Sequence, residues 1–184
     1  MFFSVIATSW RICLFRAGPQ DYPASNQAVA HAVMLALAVH VVQFQLSLPV
    51  FAAIVQAIVA VLVMWSFTTA VLTMRKKPER VPQTVSALLV TNAIFSLLLV
   101  PFLIPMLPAM EQATQNPDAQ IDVPALSLIG TLGLSLWSLA VSIWIYRNAL
   151  ESRSGLAILA AVGMAAVVYI IAGGVGTMLV PQGS

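Results

Sequence analysis

The polar side chains inside long apolar stretches are the residues of this sequence with the most chemistry to offer. Histidine, a common acid–base group and metal ligand, occurs only twice, at His31 and His40. Nine residues turn an α-helix by about 900°, so these imidazoles lie on opposite faces of one helix and cannot share a metal ion. His40, Gln43 and Ser47 lie within about 60° on the helical wheel and form a polar patch. Asn92, in another apolar stretch, could meet this patch across a helix interface.

Two interpretations of this patch remain open at the level of sequence. Polar side chains within the membrane can form a ligand or proton site. They can equally hydrogen-bond one helix to another in the interior of a bundle.

Small residues recur at helical spacing in the last two apolar stretches. One stripe, within about 80° on the wheel, consists of hydroxyl side chains: Ser127, Thr131, Ser135, Ser138 and Ser142. A second stripe consists of Ala161, Ala165, Ala172 and Gly176, alongside Gly163, Gly173 and Gly174. Such stripes either line a narrow pore or allow two helices to pack closely.

Three prolines, Pro101, Pro105 and Pro108, share one helix face at the end of the third apolar stretch. Each removes a backbone donor, so we expect a kinked or unwound helix end. A bend at the end of a span explains this pattern, and a broken transport helix is the alternative.

The residue inventory predicts a protein that is not an enzyme and has no cofactor. Neither histidine has a carboxylate in its own apolar stretch, as a hydrolytic triad would require. Metal-ligand clusters and glycine-rich nucleotide loops are also missing from the sequence. The lone cysteine, Cys13, cannot form an intramolecular disulfide.

The elements that position these residues follow from composition. Only 8% of the 184 residues are charged, 60% are hydrophobic and the mean hydropathy is +0.97, whereas a soluble domain has about 25% charged residues. Each stretch of about 20 apolar residues can cross a bilayer as a helix. The sequence predicts a single all-α membrane domain over 1–184 with a bundle over 28–180, whose five spans are Ala28–Leu48, Val50–Met74, Val85–Leu107, Pro124–Tyr146 and Leu156–Val180.

The distribution of positive charge predicts the orientation of the bundle. All eight basic residues precede span one, separate spans two and three, or separate spans four and five. Because Lys and Arg near span ends stay on the cytoplasmic side, we expect the N-terminus inside and the C-terminus outside, in a bacterial inner membrane. The tight turn around Ser47 and Pro49, the loop 109–123 and the tail 181–184 would then face outward. The clustering of the basic residues argues against a nucleic-acid partner.

The segment 1–27 is predicted to hold an amphipathic helix and a turn-rich linker, retained rather than cleaved as a signal peptide. One helical face carries apolar side chains, and Ser4, Thr8 and Arg11 lie opposite. This helix could lie in the lipid interface, with Trp10 at headgroup depth and Arg11 and Arg16 near anionic lipid, or it could dock on the bundle. The apolar face comprises Phe2, Phe3, Ile6, Trp10, Cys13 and Leu14.

The layout of a cytoplasmic N-terminal segment, five close spans and a short outer tail resembles the Yip-domain family of membrane proteins. The linker Gly18-Pro19-Gln20-Asp21-Tyr22-Pro23 has residue types similar to a segment of that family, in a different order. The resemblance implies a non-enzymatic protein that organises membranes or binds other membrane proteins. We therefore expect contacts with lipids and with a membrane-protein partner or a second copy, as in an accessory subunit. The alternative is a small channel or facilitator for a neutral or weakly polar solute.

Overall fold

A computed structural model of the chain describes residues 2–109, 112, 123–152 and 154–179. Six long α-helices organise these residues, and the described part contains no β-strand. We number them α1 (Phe2–Cys13), α2 (Asn26–Phe44), α3 (Val50–Met74), α4 (Val81–Leu103), α5 (Ala125–Leu150) and α6 (Ser154–Leu179). Helices α2 to α6 are long and apolar enough to cross a membrane, which confirms the five predicted spans.

The helix ends show where local chemistry overrides hydropathy. The side-chain oxygen of Ser25 accepts a hydrogen bond from the Ala28 N–H and caps α2, which therefore starts earlier than its apolar stretch. Helix α4 starts four residues before the predicted Val85, because Pro82 in its first turn needs no backbone partner. After Leu103 the chain continues as a 3-10 helix over Ile104–Met106, in the proline-rich segment where unwinding was expected.

Helix α4 is the central element of the bundle. It packs against α2, α3 and α5, and α6 completes the bundle by packing against α3 and α5. Helix α1 contacts α4 and, to a smaller extent, α2 and α5. As a result, every residue from Thr84 to Thr91 is buried, although eight consecutive helical residues point in all directions.

Side chains of the bundle hold the N-terminal segment by donating hydrogen bonds to backbone carbonyls of that segment. The indole N–H groups of Trp137 and Trp144 donate to the carbonyls of Cys13 and Ala17, at 2.9 Å each. The Gln83 amide donates to the Tyr22 carbonyl at 2.8 Å. These contacts connect the chain before α2 to α4 and α5.

Two loops meet at the same end of the bundle. Lys77 and Arg80, between α3 and α4, both donate to the Glu151 carboxylate, with the lysine at 2.6 Å. The Arg80 guanidinium also donates to the carbonyls of Asn148 and Ala149 at 3.2 and 3.1 Å, which satisfies acceptors at the end of α5. Glu151 itself takes a left-handed conformation with φ 47° and ends that helix. We call the loop between α3 and α4 and the loop between α5 and α6 the basic loops. The contacts with Glu151 bring these loops together, as their common side in the predicted topology requires.

Candidate functional site

A cavity of about 490 Å³ lies between the five spanning helices, and every one of them contributes to its wall. On α2 the wall begins at His40, and on α3 it extends only as far as Met64. On α5 and α6, however, the lining reaches Ser142 and Ala161, which lie in the halves of these helices nearer to the basic loops. The cavity therefore spans the middle of the bundle.

His40 and Asn92 form the best-defined polar contact of the cavity wall. The imidazole is 4% exposed, its Nε2 lies 3.1 Å from Asn92 Oδ1, and its Nδ1 lies 2.6 Å from the Ala36 carbonyl oxygen. The structure therefore joins the two polar positions that the sequence had placed on separate helices. Gln43, one turn along α2, also lines the cavity. Ser47 does not, because α2 ends at Phe44 and leaves Ser47 exposed in the following turn.

The hydroxyl stripe of α5 divides into two parts. Ser135, Ser138 and Ser142 line the cavity. Ser127 is buried outside the cavity lining, and Thr131 donates to the Met106 sulfur at 3.8 Å. The stripe therefore has both predicted roles on different turns of one helix. Three of its residues line the cavity, and Ser127 and Thr131 take part in packing.

The small residues of α6 divide in the same way. Ala161, Ala165, Ala172 and Gly173 line the cavity. Gly163 faces α3 instead, where an added Cβ would lie 3.3 Å from the Phe67 ring. The side chain position of Gly176 lies outside the described residues. Small side chains on α6 thus leave space on one face and allow close packing on another.

The cavity ends at a buried chain of hydrogen bonds. Thr68 Oγ1 lies 2.9 Å from the Tyr146 hydroxyl, which donates to the Met164 sulfur at 3.3 Å. Thr68 and Tyr146 each follow a cavity-lining residue, Met64 or Ser142, by one helical turn. Met164 itself lines the cavity. We call Thr68, Tyr146 and Met164 the cavity floor, because Thr68 and Tyr146 lie one helical turn beyond lining residues, toward the end with the basic loops.

Two residues of this region were missed by sequence reasoning. Gln56 lines the cavity from α3, and its buried Oε1 has no hydrogen-bond partner among the described residues. Gln56 is the one amide side chain in the apolar stretch 50–74, and this alone could have marked it in the sequence as a candidate cavity residue. Tyr146 stood at the predicted end of a span, where a tyrosine is expected at the lipid interface, and nothing in the sequence indicated its burial.

The electrostatic character of the cavity is neutral. Among the described residues, its lining contains amides, hydroxyls, one imidazole and apolar side chains, and no Asp, Glu, Lys or Arg. Among the described residues no group of three or more His, Cys, Asp or Glu side chains is arranged to hold a metal ion. The arrangement can donate and accept hydrogen bonds to an uncharged molecule.

Helix α1 contacts the bundle with a face other than the apolar face of its sequence pattern. Val5, Ser9 and Ile12 are buried, and the Ser9 hydroxyl bonds to the Tyr22 hydroxyl. Of the predicted apolar face, Cys13 is buried, whereas Phe3, Trp10 and Leu14 are exposed, Trp10 by 50%. Most of the predicted apolar face thus points away from the bundle, and its contact with lipid stays a prediction. Arg11 and Arg16 are exposed.

Comparisons with protein-family models, with curated proteins and with solved structures find no match to this chain. The resemblance to the Yip-domain family therefore stays a prediction.

Proposed function

We propose that this chain is a non-catalytic, multi-pass membrane protein that binds a small, uncharged, weakly polar molecule in the cavity between its five spanning helices. The observation that supports this function is the convergence of neutral hydrogen-bonding groups from α2, α3, α4 and α5 on one cavity. Such groups are costly in apolar surroundings, and a ligand with matching groups offsets that cost. The bacterial inner membrane, with the basic loops inside, is the proposed location.

The chemistry of the wall selects against ions. A charged solute taken out of water needs a counter-charge or several strong ligands, and the described residues of the lining supply neither. A volume of about 490 Å³ falls within the range of small-molecule sites, which is about 300–1,000 Å³. An uncharged molecule with an apolar body and one or two polar groups fits this wall best.

The cavity floor favours binding over free passage. Thr68 and Tyr146 are fully buried, and their hydroxyl oxygens lie 2.9 Å apart one helical turn beyond the cavity lining. A facilitator would need this floor to open during each passage, whereas a binding protein would not. The proposed function is therefore ligand binding, and transport would require a second conformation.

The experiment measures binding of 5-fluoroindole to the protein in lipid nanodiscs by ¹⁹F NMR saturation transfer, with empty nanodiscs as the lipid reference. We expect transfer from wild type and its loss in the double variant Ser135→Leu/Ser138→Leu, which fills the cavity. Ala140→Leu is the matched control, because Ala140 is an exposed residue of the same helix outside the cavity lining. Equal transfer in wild type, both variants and empty nanodiscs would contradict the proposal.

A second function, contact with anionic lipid, is supported by a separate observation on α1. Opposite its docked face, this helix exposes Trp10 and Leu14, with Arg11 and Arg16 also exposed nearby. An indole and basic side chains beside an apolar strip are typical of a helix at the lipid interface. Helix α1 would thus contact the bundle with one face and lipid with the other.

Native mass spectrometry from vesicles of mixed phosphatidylglycerol and phosphatidylethanolamine tests this second function. We expect Arg11→Gln/Arg16→Gln to retain fewer phosphatidylglycerol molecules than wild type. The matched control Arg75→Gln/Lys76→Gln removes the same charge from the exposed loop after α3. An equal loss in both double variants would assign the effect to net charge and contradict a role for α1.

A further inference from the structure

The hydrogen bonds of His40 define which ring nitrogen carries a proton. Its Nδ1 lies 2.6 Å from the Ala36 carbonyl oxygen, which can only accept. Nδ1 is therefore the N–H of the ring. A neutral imidazole has one N–H, so Nε2 is an acceptor and needs a donor opposite it.

That donor has to come from Asn92, whose side-chain amide lies 3.1 Å from Nε2. With Oδ1 toward His40, two acceptors would face each other, whereas a half-turn of the amide places its NH₂ group there. The two orientations occupy nearly the same space, and the hydrogen-bond network decides between them. A doubly protonated ring would also fit Oδ1, but it would be a cation with no counter-ion in the described part of the lining. Tyr169 is the other titratable side chain of that lining, which contains no carboxylate and no Lys or Arg.

The consequence concerns what the cavity offers to a ligand. Once one hydrogen of the Asn92 NH₂ group is donated to His40, the amide oxygen is the acceptor that Asn92 offers to the cavity it lines. We infer that Asn92 is a specificity-determining residue that accepts a hydrogen bond from the ligand, and that His40 is the positioning residue that fixes this orientation. The ligand class is an uncharged, largely apolar molecule with an N–H or O–H donor. This inference rests on the proposed binding function.

A ligand-free measurement tests the orientation first. The variant His31→Gln leaves His40 as the only imidazole of the chain, so its ¹⁵N ring signals in nanodiscs can be assigned directly. We expect the neutral tautomer with hydrogen on Nδ1 and a coupling between Nε2 and the Asn92 NH₂ group. Hydrogen on Nε2 would overturn the inference whatever ligand the cavity takes.

A matched pair of probes then tests specificity. Indole has an N–H donor, and 1-methylindole has the same ring system without it. We expect wild type to bind indole roughly ten-fold more tightly, because 1-methylindole leaves the Asn92 oxygen unpaired. Asn92→Leu should bind both probes alike. His40→Phe frees the amide to rotate and should reduce the preference, whereas a merely structural role for His40 would weaken both probes equally.

The outcomes separate the inference from the proposed function. Equal binding of both probes by wild type overturns the inference and leaves cavity binding intact. No saturable binding of either probe contradicts the proposed function for this ligand class, and the tautomer measurement still judges the orientation of Asn92. If Asn92→Leu does not fold, Asn92→Ala removes the same amide with less bulk, and it should also abolish the preference.

Discussion

The cavity floor makes a quantitative prediction, because its three residues form a directed chain of hydrogen bonds. The Tyr146 hydroxyl has one hydrogen, which it donates to the Met164 sulfur at 3.3 Å. The hydrogen between Tyr146 and Thr68, whose oxygens are 2.9 Å apart, must then come from the Thr68 hydroxyl. Removing the Tyr146 hydroxyl thus leaves a fully buried donor without its acceptor.

The expected magnitude follows from this geometry. A stranded buried polar group costs about 1–3 kcal/mol in soluble proteins, and hydrogen bonds between membrane helices average about 0.6 kcal/mol. Thr68 can partly recover by bonding to a carbonyl of its own helix. We therefore expect Tyr146→Phe to lower the free energy of unfolding by about 1 kcal/mol. Thr68→Val should cost about half as much, because the tyrosine keeps its sulfur partner.

The decisive quantity is the free energy of unfolding of the double variant Thr68→Val/Tyr146→Phe. It strands neither hydroxyl, so its cost should fall below the sum of the single variants by roughly 0.5–1 kcal/mol. Reversible unfolding by sodium dodecyl sulfate in mixed micelles measures all three variants. Tyr169→Phe is the matched control, since Tyr169 is 82% exposed and its hydroxyl should contribute little to stability. Additive single costs, or an equal loss in the control, would refute the hydrogen-bonded floor.

Three further predictions concern other parts of the chain. Gly130→Ala should destabilise, because its Cβ would clash with the Phe102 ring. Gly133→Ala, with nothing within 4 Å of its Cβ, should gain up to about 1 kcal/mol in the same unfolding assay. Burial raises the pKa of the Cys13 thiol to about 11, so maleimide at pH 8 should label this thiol slowly in the folded protein. Trp137→Phe removes a hydrogen bond to the Cys13 carbonyl and should therefore speed labelling. Hydrogen bonds from Lys77 and Arg80 lower the pKa of Glu151 from 4.5 to about 2. The ionised Glu151 carboxylate therefore contributes its full stabilisation of the loop contact above about pH 4.5. This contribution should be lost as the pH falls through about 2, where the carboxylate is protonated. Glu151→Gln should separate the loops at every pH, as spin-label distances between them would show, and an unchanged distance would contradict the ion pair.

The five spans and the grouping of the basic loops could be predicted from sequence because both depend on one-dimensional properties. A helix must present about 20 apolar residues to cross lipid, and a charged residue within it costs several kcal/mol. These requirements act on each segment separately. The hydropathy pattern therefore predicted the span Val50–Met74 with the same first and last residues as the observed helix. Errors elsewhere, as at the start of α4, arose from caps and prolines that hydropathy does not weigh.

The cavity and the docked face of α1 depended on tertiary packing. Lipid-facing and bundle-facing surfaces are equally apolar, so an amphipathic pattern does not say which face of a spanning helix meets its neighbours. Ser135 and Thr131 belong to one stripe, yet only Ser135 reaches the cavity. Likewise Ser9 docks while Trp10 is exposed, because Tyr22 supplies a partner for the serine.

The sequence by itself determined that the chain has five helices long and apolar enough to cross a membrane, that its basic loops lie at one end and that few polar groups enter these helices. Only the tertiary structure decided which of those polar groups share a cavity. Transfer into lipid is a sum over the residues of one segment, whereas a cavity depends on the shapes of side chains far apart in the chain. The meeting of His40 with Asn92, 52 residues apart, is a property of that second kind.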